Sequence, residues 1–303
     1  MKLRYGYLAS GIVTGILLLF SFVWTLPDGK MHVVFCDVGQ GDGAYIRFPD
    51  GRDMVIDGGP DNSILQCLGR HMPFWDRHID LLVMTHPQKD HMQGLIDVVG
   101  RFSVEYFLRS DTVNNTEGYK KLTALLARNN VIQRFVTQDD RISVGPASLS
   151  VLWPSKEQIT KGTTTASIAD STQESRVLGA KSIEMNDFSV VLELQYGSFS
   201  TIFTGDADSH VQNSFTGSKL SDADVEVLKV PHHGSKTGMT RDFIDWISPK
   251  LAVVSVGKNS YGHPTQEAQD MLNSVGSRIL RTDQHGDIEV ITDGIQWTVR
   301  TLK

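Results

Sequence analysis

Three metal-ligating side chains, His86, Asp90 and His91, fall within six positions in the segment His86-Pro-Gln-Lys-Asp-His91. Imidazole and carboxylate are the usual protein ligands of zinc and manganese. The segment follows a short apolar run, so a turn between strand and helix can aim several of these groups at one point. Asp206 lies in Phe203-Thr-Gly-Asp-Ala207. His232 and His233 lie in Lys229-Val-Pro-His-His-Gly-Ser235, and His263 in Tyr261-Gly-His-Pro264. Each of these also follows an apolar run. Any one histidine alone reads as an ordinary surface or core residue, and Asp90 alone as a helix cap. Four apolar runs ending in His or Asp point instead to one metal site where their ends converge. Such a set suits metal-assisted hydrolysis, in which the pKa of a bound water falls to about 7.

The elements that must position these groups are short. Met31–Cys36, Ala44–Phe48, Met54–Ile56 and Leu81–Met84 read as strands separated by glycine-containing turns. Helical spacing starts near Asp90 and runs through Met92, Leu95, Ile96 and Val99, and Glu117–Arg128 is a second helical stretch. Strand patterns return at Phe188–Leu194, Ser200–Thr204, Val225–Val230 and Leu251–Val256, and helical ones at Thr240–Ile247 and Thr265–Ser274. The chain closes on Asp287–Thr292 and Gln296–Arg300 around Asp293-Gly294, a hairpin signal. Between Pro154 and Asp187 the composition turns polar and aperiodic. A segment of that length is functional or disordered, and its place just before Asn186 suits a lid. The order of strands and helices predicts an α/β (α+β) domain of two sheets sandwiched by helices.

The 303 residues, 40% hydrophobic and 21% charged, suffice for one large core. The net charge of −6 gives no support to nucleic-acid binding by overall charge. A local basic edge remains open through Lys229, Lys236, Arg241 and Lys258. Cys36 and Cys67 lie outside any CxxC pattern and are expected as two buried thiols; a disulfide between them would need an oxidising compartment. Lys2 and Arg4 precede an uncharged stretch from Tyr5 to Leu26, just long enough to cross a bilayer. Positive charge on the N-terminal side keeps that end cytoplasmic. A cleaved signal would have a shorter apolar region and a small-x-small site, and none stands near Thr25-Leu-Pro-Asp28. Residues 1–27 are thus expected as a single-pass membrane anchor and 28–303 as an extracytoplasmic domain.

From Met31 to Leu302 the motifs resemble the metallo-β-lactamase superfamily, specifically the extracellular domain of ComEC-type competence proteins. The matching pieces are Asp37-Val-Gly-Gln-Gly-Asp42, Ile56-Asp-Gly-Gly59, Thr85-His-Pro-Gln-Lys-Asp-His91, Thr204-Gly-Asp-Ala207, Val230-Pro-His-His-Gly-Ser235, Tyr261-Gly-His-Pro264 and Arg281-Thr-Asp283. The resemblance implies an αββα sandwich with a metal site at one edge. It implies that Asp90, His91 and His232 hold one metal, that Asp206 bridges two, and that His86 serves the other. Asp57 would orient the ligand loop through hydrogen bonds. Asp90 and His263 would serve catalysis, His263 as a phosphate contact or proton donor. His233 would support its loop, and Ser235 would reach the substrate, with Lys236 nearby.

Two positions depart from the superfamily pattern. Gln88 and Asn186 stand where histidines are expected. Amide oxygens suit a hard ion such as manganese or magnesium better than zinc, so the site is expected to hold one or two divalent ions unequally. That favours a phosphodiesterase acting on DNA, with a separate DNA-uptake channel as partner, because the many membrane helices of full competence channels are absent. The alternatives are a hydrolase of a small ester or amide, including a β-lactam, and a non-catalytic surface binding module.

Overall fold

The computed structural model of the chain describes residues 7, 9–17, 27–160, 185–217, 220 and 225–303. The first half contributes strands β1 (Met31–Phe35), β2 (Gly43–Arg47), β3 (Asp53–Gly58), β4 (His78–Met84), β5 (Ser103–Arg109) and β6 (Ile132–Phe135). Helices α1 (Ile64–His71), α2 (Lys89–Arg101) and α3 (Glu117–Arg128) lie between them. The second half contributes β7 (Arg141–Val144), β8 (Ala147–Trp153), β9 (Val191–Tyr196), β10 (Phe199–Phe203), β11 (Val227–Lys229), β12 (Leu251–Val254) and β13 (Arg278–Arg281). It also holds α4 (Arg241–Ile247) and α5 (Gln266–Ser274), before β14 (Ile288–Thr292) and β15 (Trp297–Thr301) return to the first sheet. The strand orders are β15-β14-β1-β2-β3-β4-β5-β6 and β13-β12-β11-β10-β9-β8-β7.

The central strands β3, β10, β11 and β12 are covered on both faces and are buried along their whole length. The two-residue period of a strand turns Val33 and Phe35 toward the second sheet, where they meet residues such as Leu192, Phe203 and Val253. Val34, Tyr45 and Val55 face the other way and pack with Leu95, Ile96 and Leu122 of α2 and α3. Ile202, Leu228 and Val254 pack likewise with Phe243, Ile244 and Leu272 of α4 and α5. Each such side chain, fully buried, contributes about 1.5–3 kcal/mol. The layers are helix, sheet, sheet, helix, the sandwich expected from the sequence.

Three differences from the sequence reading have physical reasons. The expected strand Phe188–Leu194 begins only at Val191, because Met185–Phe188 coil into a 3-10 turn anchored by Trp153 Nε1 donating to Asp187 O at 2.7 Å. Strands β5 to β8 were not singled out in the sequence, because β5 and β6 mix charged and apolar residues without a regular period and β7 and β8 are short runs rich in serine; β6 is exposed at all four positions as a sheet edge. Cys36 and Cys67 are not two thiols but a disulfide, with Cα atoms 5.8 Å apart across 31 positions of sequence. Helix α1 lies over the outer face of the first sheet and brings the two together. Among the described residues no helix is long and apolar enough to cross a membrane. The expected anchor over 1–27 and the polar segment 154–187 fall largely outside the described residues; residues 9–17 are helical, with Ile12, Val13, Ile16 and Leu17 exposed.

Candidate metal centre

Strands β3 and β4 run parallel, as do β10, β11 and β12, and their C-terminal ends open on one edge of the sandwich. In open α/β sheets this is where ligands bind. β3 carries Asp57 just before its last residue, and β4 delivers Thr85 and His86. α2 starts at Lys89, which sets Asp90 and His91 in its first turn. β10 delivers Asp206, and β11 leads into a 3-10 turn, Pro231–Gly234. Asp57, His232 and His233 all have left-handed backbones, with φ of 57°, 48° and 53°. Such conformations cost about 1–3 kcal/mol each in a residue with a side chain and collect at functional sites. The turn before β2 closes onto the same edge: Asp42 N donates to Asp90 O at 3.1 Å, and a Cβ on Gly41 would stand 2.3 Å from that oxygen.

Asp90, His91, Asp206 and His233 offer ligand atoms that all lie within 4.8 Å of one another. His91 Nε2 is 3.2 Å from Asp206 Oδ1, His233 Nε2 is 3.6 Å from Asp206 Oδ2, and His233 Nε2 is 3.4 Å from Asp90 Oδ2. Ligands held about 2.0–2.2 Å from one ion are separated by about 3.3–3.6 Å in a tetrahedron, so the spacing fits. Each histidine is fixed from behind through Nδ1. His91 Nδ1 binds Asp57 Oδ2 at 2.8 Å, His233 Nδ1 donates to Ser255 O at 2.8 Å, and His86 Nδ1 lies 3.2 Å from Ser189 Oγ. This leaves every Nε2 pointing inward. His86 Nε2, His91 Nε2, His233 Nε2 and Asp206 Oδ1 are buried without a hydrogen-bond partner. Buried polar atoms are almost always satisfied, so the three orphans within the close set, from His91, His233 and Asp206, fit a bound cation, and the His86 ring lies beside them, 4.1 Å from that of His91 between centroids.

The charges agree. Burial and the neighbouring His91 push the His86 imidazole down to about 3, so it is a neutral ligand at any physiological pH. Burial would lower His233, but the Asp206 and Asp42 carboxylates outweigh it and push it up to about 9. Burial would raise Asp206, but the His91 and His233 imidazoles hold it well below the usual carboxylate range. Protonated imidazoles occupy the electrostatic position a metal would take.

The structure redistributes some expected roles. The sequence put His232 in the metal set and His233 in support. The geometry draws His233 into the mutually close donors, because the two consecutive left-handed residues swing the second ring inward. His232 sits at the rim, its Nδ1 2.9 Å from Asp208 Oδ1 and its Nε2 3.8 Å from Asp206 Oδ2. Gln88 and Asn186 meet each other, Gln88 Nε2 donating to Asn186 Oδ1 at 2.7 Å. Asp57 holds the ligand loop as expected. His263 lines the open cleft, about 430 Å³, together with Gln88, Asp90, Asp206, His232 and His233. Ser235 and Lys236 do not line it: Ser235 Oγ lies 3.4 Å from Thr237 Oγ1, and Lys236 reaches toward Glu267. The basic edge also dissolves in part, since Arg241 pairs with Asp245 and Lys229 is buried in an ion pair with Asp42. Lys229 also donates to Gly205 O at 3.1 Å, fixing the turn that presents Asp206. The partners Asp42, Ser189 and Ser255 were missed as site residues, and Lys229 was assigned to a basic edge instead. Only Asp42 carried a signal, its place at the end of a glycine-rich turn.

No protein-family profile matches the chain. It is 28% identical over 299 aligned residues, 91% of its length, to ComE operon protein 3 of Bacillus subtilis (strain 168), of which it covers 34%. It is 36% identical over 110 residues to competence protein ComA of Neisseria gonorrhoeae, covering 36% of this chain and 16% of that one. The chain therefore spans about a third of the first relative's length and less of the second. Among solved structures it is similar to the metallo-beta-lactamase fold protein YhfI of Bacillus subtilis, with TM-score 0.54, 12% identity and coverage of 87% and 100% of the two chains. It is also similar to Tm1679, a metal-dependent hydrolase of the beta-lactamase superfamily, with TM-score 0.51, 12% identity and coverage of 85% and 98%. The fold is that of the metallo-β-lactamases, and the resemblance to competence proteins carried by the motifs holds over nearly the whole chain.

Proposed function

We propose that this chain is a metal-dependent phosphodiesterase that cleaves DNA on the outer side of a membrane. The observation that carries the reading is the set of mutually close ligand atoms from Asp90, His91, Asp206 and His233, of which His91 Nε2, His233 Nε2 and Asp206 Oδ1 are unpartnered, beside an open cleft that Asp90, Asp206 and His233 line. Asp90, His91, His233 and Asp206 would hold one ion, with Asp206 shared toward a second near His86. The paired amides of Gln88 and Asn186 favour manganese or magnesium over zinc there. A metal in this set supplies a Lewis acid and a water of lowered pKa. Asp57, Ser255 and Ser189 fix the imidazoles so that their Nε2 atoms stay aimed. His263 lines the rim of the cleft, where its ring would meet a phosphate oxygen or the leaving group. Lys89, on the same rim, opposes phosphate charge.

The choice of DNA draws on relatives named for competence and recombination. The outer location draws on Lys2 and Arg4 ahead of an uncharged stretch, and on the Cys36–Cys67 disulfide, which persists in oxidising compartments. A membrane channel for DNA is the partner this reading expects. The test is hydrolysis of single-stranded DNA, a simple phosphodiester and a chromogenic β-lactam with manganese and with zinc, against Asp206→Asn. Cleavage of DNA that Asp206→Asn abolishes supports the reading. Turnover of another substrate with no DNA cleavage under either metal removes it.

A further inference from the structure

We infer that Tyr261 is a stacking platform for a nucleobase, so that the cleft selects single-stranded nucleic acid; this rests on the phosphodiesterase reading and names its substrate class. Tyr261 is 72% exposed and belongs to none of the three apolar clusters, so folding does not account for it. Its backbone is nevertheless tied into a hydrogen-bonded loop. Asn259 Oδ1 accepts from Tyr261 N and from His263 N, each at 3.1 Å. Asn259 Nδ2 donates to Gly257 O and His263 O, each at 2.9 Å. Thr265 N then ties the loop to Gly234 O, next to the histidine pair.

One face of the Tyr261 ring lies against His263, centroids 5.6 Å apart and planes 30° from parallel. His263 in turn meets His232 edge-on at 5.9 Å, and His232 Nε2 is 3.8 Å from Asp206 Oδ2. Three rings in series thus lead from solvent to the carboxylate at the centre of the metal site. Tyr261 and His263 line the same cleft as Asp90 and Asp206. A phosphate seated at the donors leaves its attached base to reach outward along this series, where the rest of the Tyr261 ring is open. An aromatic face binds any base without reading its edge. In a duplex both faces of each base are already covered, whereas an unpaired strand offers them.

The test compares three substrates with the full chain in manganese: a single-stranded oligonucleotide, an abasic strand of equal length, and the duplex. Wild type should prefer the base-bearing single strand over the abasic one by about tenfold or more in kcat/KM, carried by KM, because one stacked base is worth about 5- to 150-fold. Tyr261→Ala should bring that preference close to one, while Tyr261→Trp and Tyr261→Phe should keep it; the aromatic variants keep the test decisive if Tyr261→Ala does not fold. Equal cleavage of the two single strands by wild type, equal cleavage of duplex and single strand, or full preference in Tyr261→Ala would overturn the inference and leave the phosphodiesterase reading standing. No cleavage of any strand under any metal overturns both.

Discussion

Asp57 accepts three hydrogen bonds at once, from Thr85 N at 2.8 Å, Thr85 Oγ1 at 2.6 Å and His91 Nδ1 at 2.8 Å. It therefore sets the turn after β4 and the tautomer of a ligand in one stroke. Replacing Asp57 by Asn puts an amide donor against donors, and metal affinity measured by calorimetric titration with manganese should fall about 10- to 100-fold. The same titration separates the two neighbouring histidines. His233→Ala should lose more affinity than His232→Ala, because His233 Nε2 lies among the mutually close donors and His232 stands at the rim. Unchanged affinity in His233→Ala would remove that residue from the donor set.

At the scale of elements, the site depends on how closely α2 lies on β3. A Cβ on Gly94 would fall 2.0 Å from Gly58 O and 2.5 Å from Asp61 O. Ala is otherwise the better helix residue by about 1 kcal/mol, so the sign of the effect is diagnostic. Gly94→Ala should destabilise by about 1–3 kcal/mol or more, read as a lower urea midpoint, because backbone must move. Metal affinity should fall with it, since Asp90 and His91 ride on the first turn of the same helix. A raised midpoint would show that helix and strand do not meet there. The disulfide makes a second join, from the end of β1 to α1. Replacing both cysteines by Ala should cost about 3–4 kcal/mol for a loop of 31 residues, seen as a lower melting temperature.

Across the whole molecule, the last strands close onto the first. His32 on β1 lies 2.8 Å from Glu289 on β14 and 3.2 Å from Asp28. Burial would lower the His32 pKa, but the hydrogen bonds to Glu289 and Asp28 outweigh it and raise it. A histidine with a raised folded-state pKa stabilises fully below its unfolded value near 6.5, and that contribution fades as pH rises through the folded value. The hydrogen bond from His32 holds Glu289 below its ordinary range, so the pair persists into mild acid. The melting temperature of wild type should exceed that of His32→Gln at pH 6 and approach it at pH 9. The pair is partly exposed, so the effect is about 1 kcal/mol or less. A gap that widens with pH would contradict the ion pair.

The sequence by itself determined the sandwich and most of the His and Asp residues that the structure gathers at the strand ends. Residues such as His86, Asp90, His91 and Asp206 follow apolar strands directly, and a ligand at a strand end is fixed by local geometry once the strand is recognised. The Asp293-Gly294 hairpin was legible for the same reason. Only the tertiary structure decided which of His232 and His233 points inward, because that depends on two left-handed backbones that adjacent identical residues do not reveal. It also decided that Lys229 is an internal counter-charge and not part of a basic edge, and that Cys36 meets Cys67. These are contacts between residues distant in sequence, set by how helices cover sheets, and no local pattern carries them.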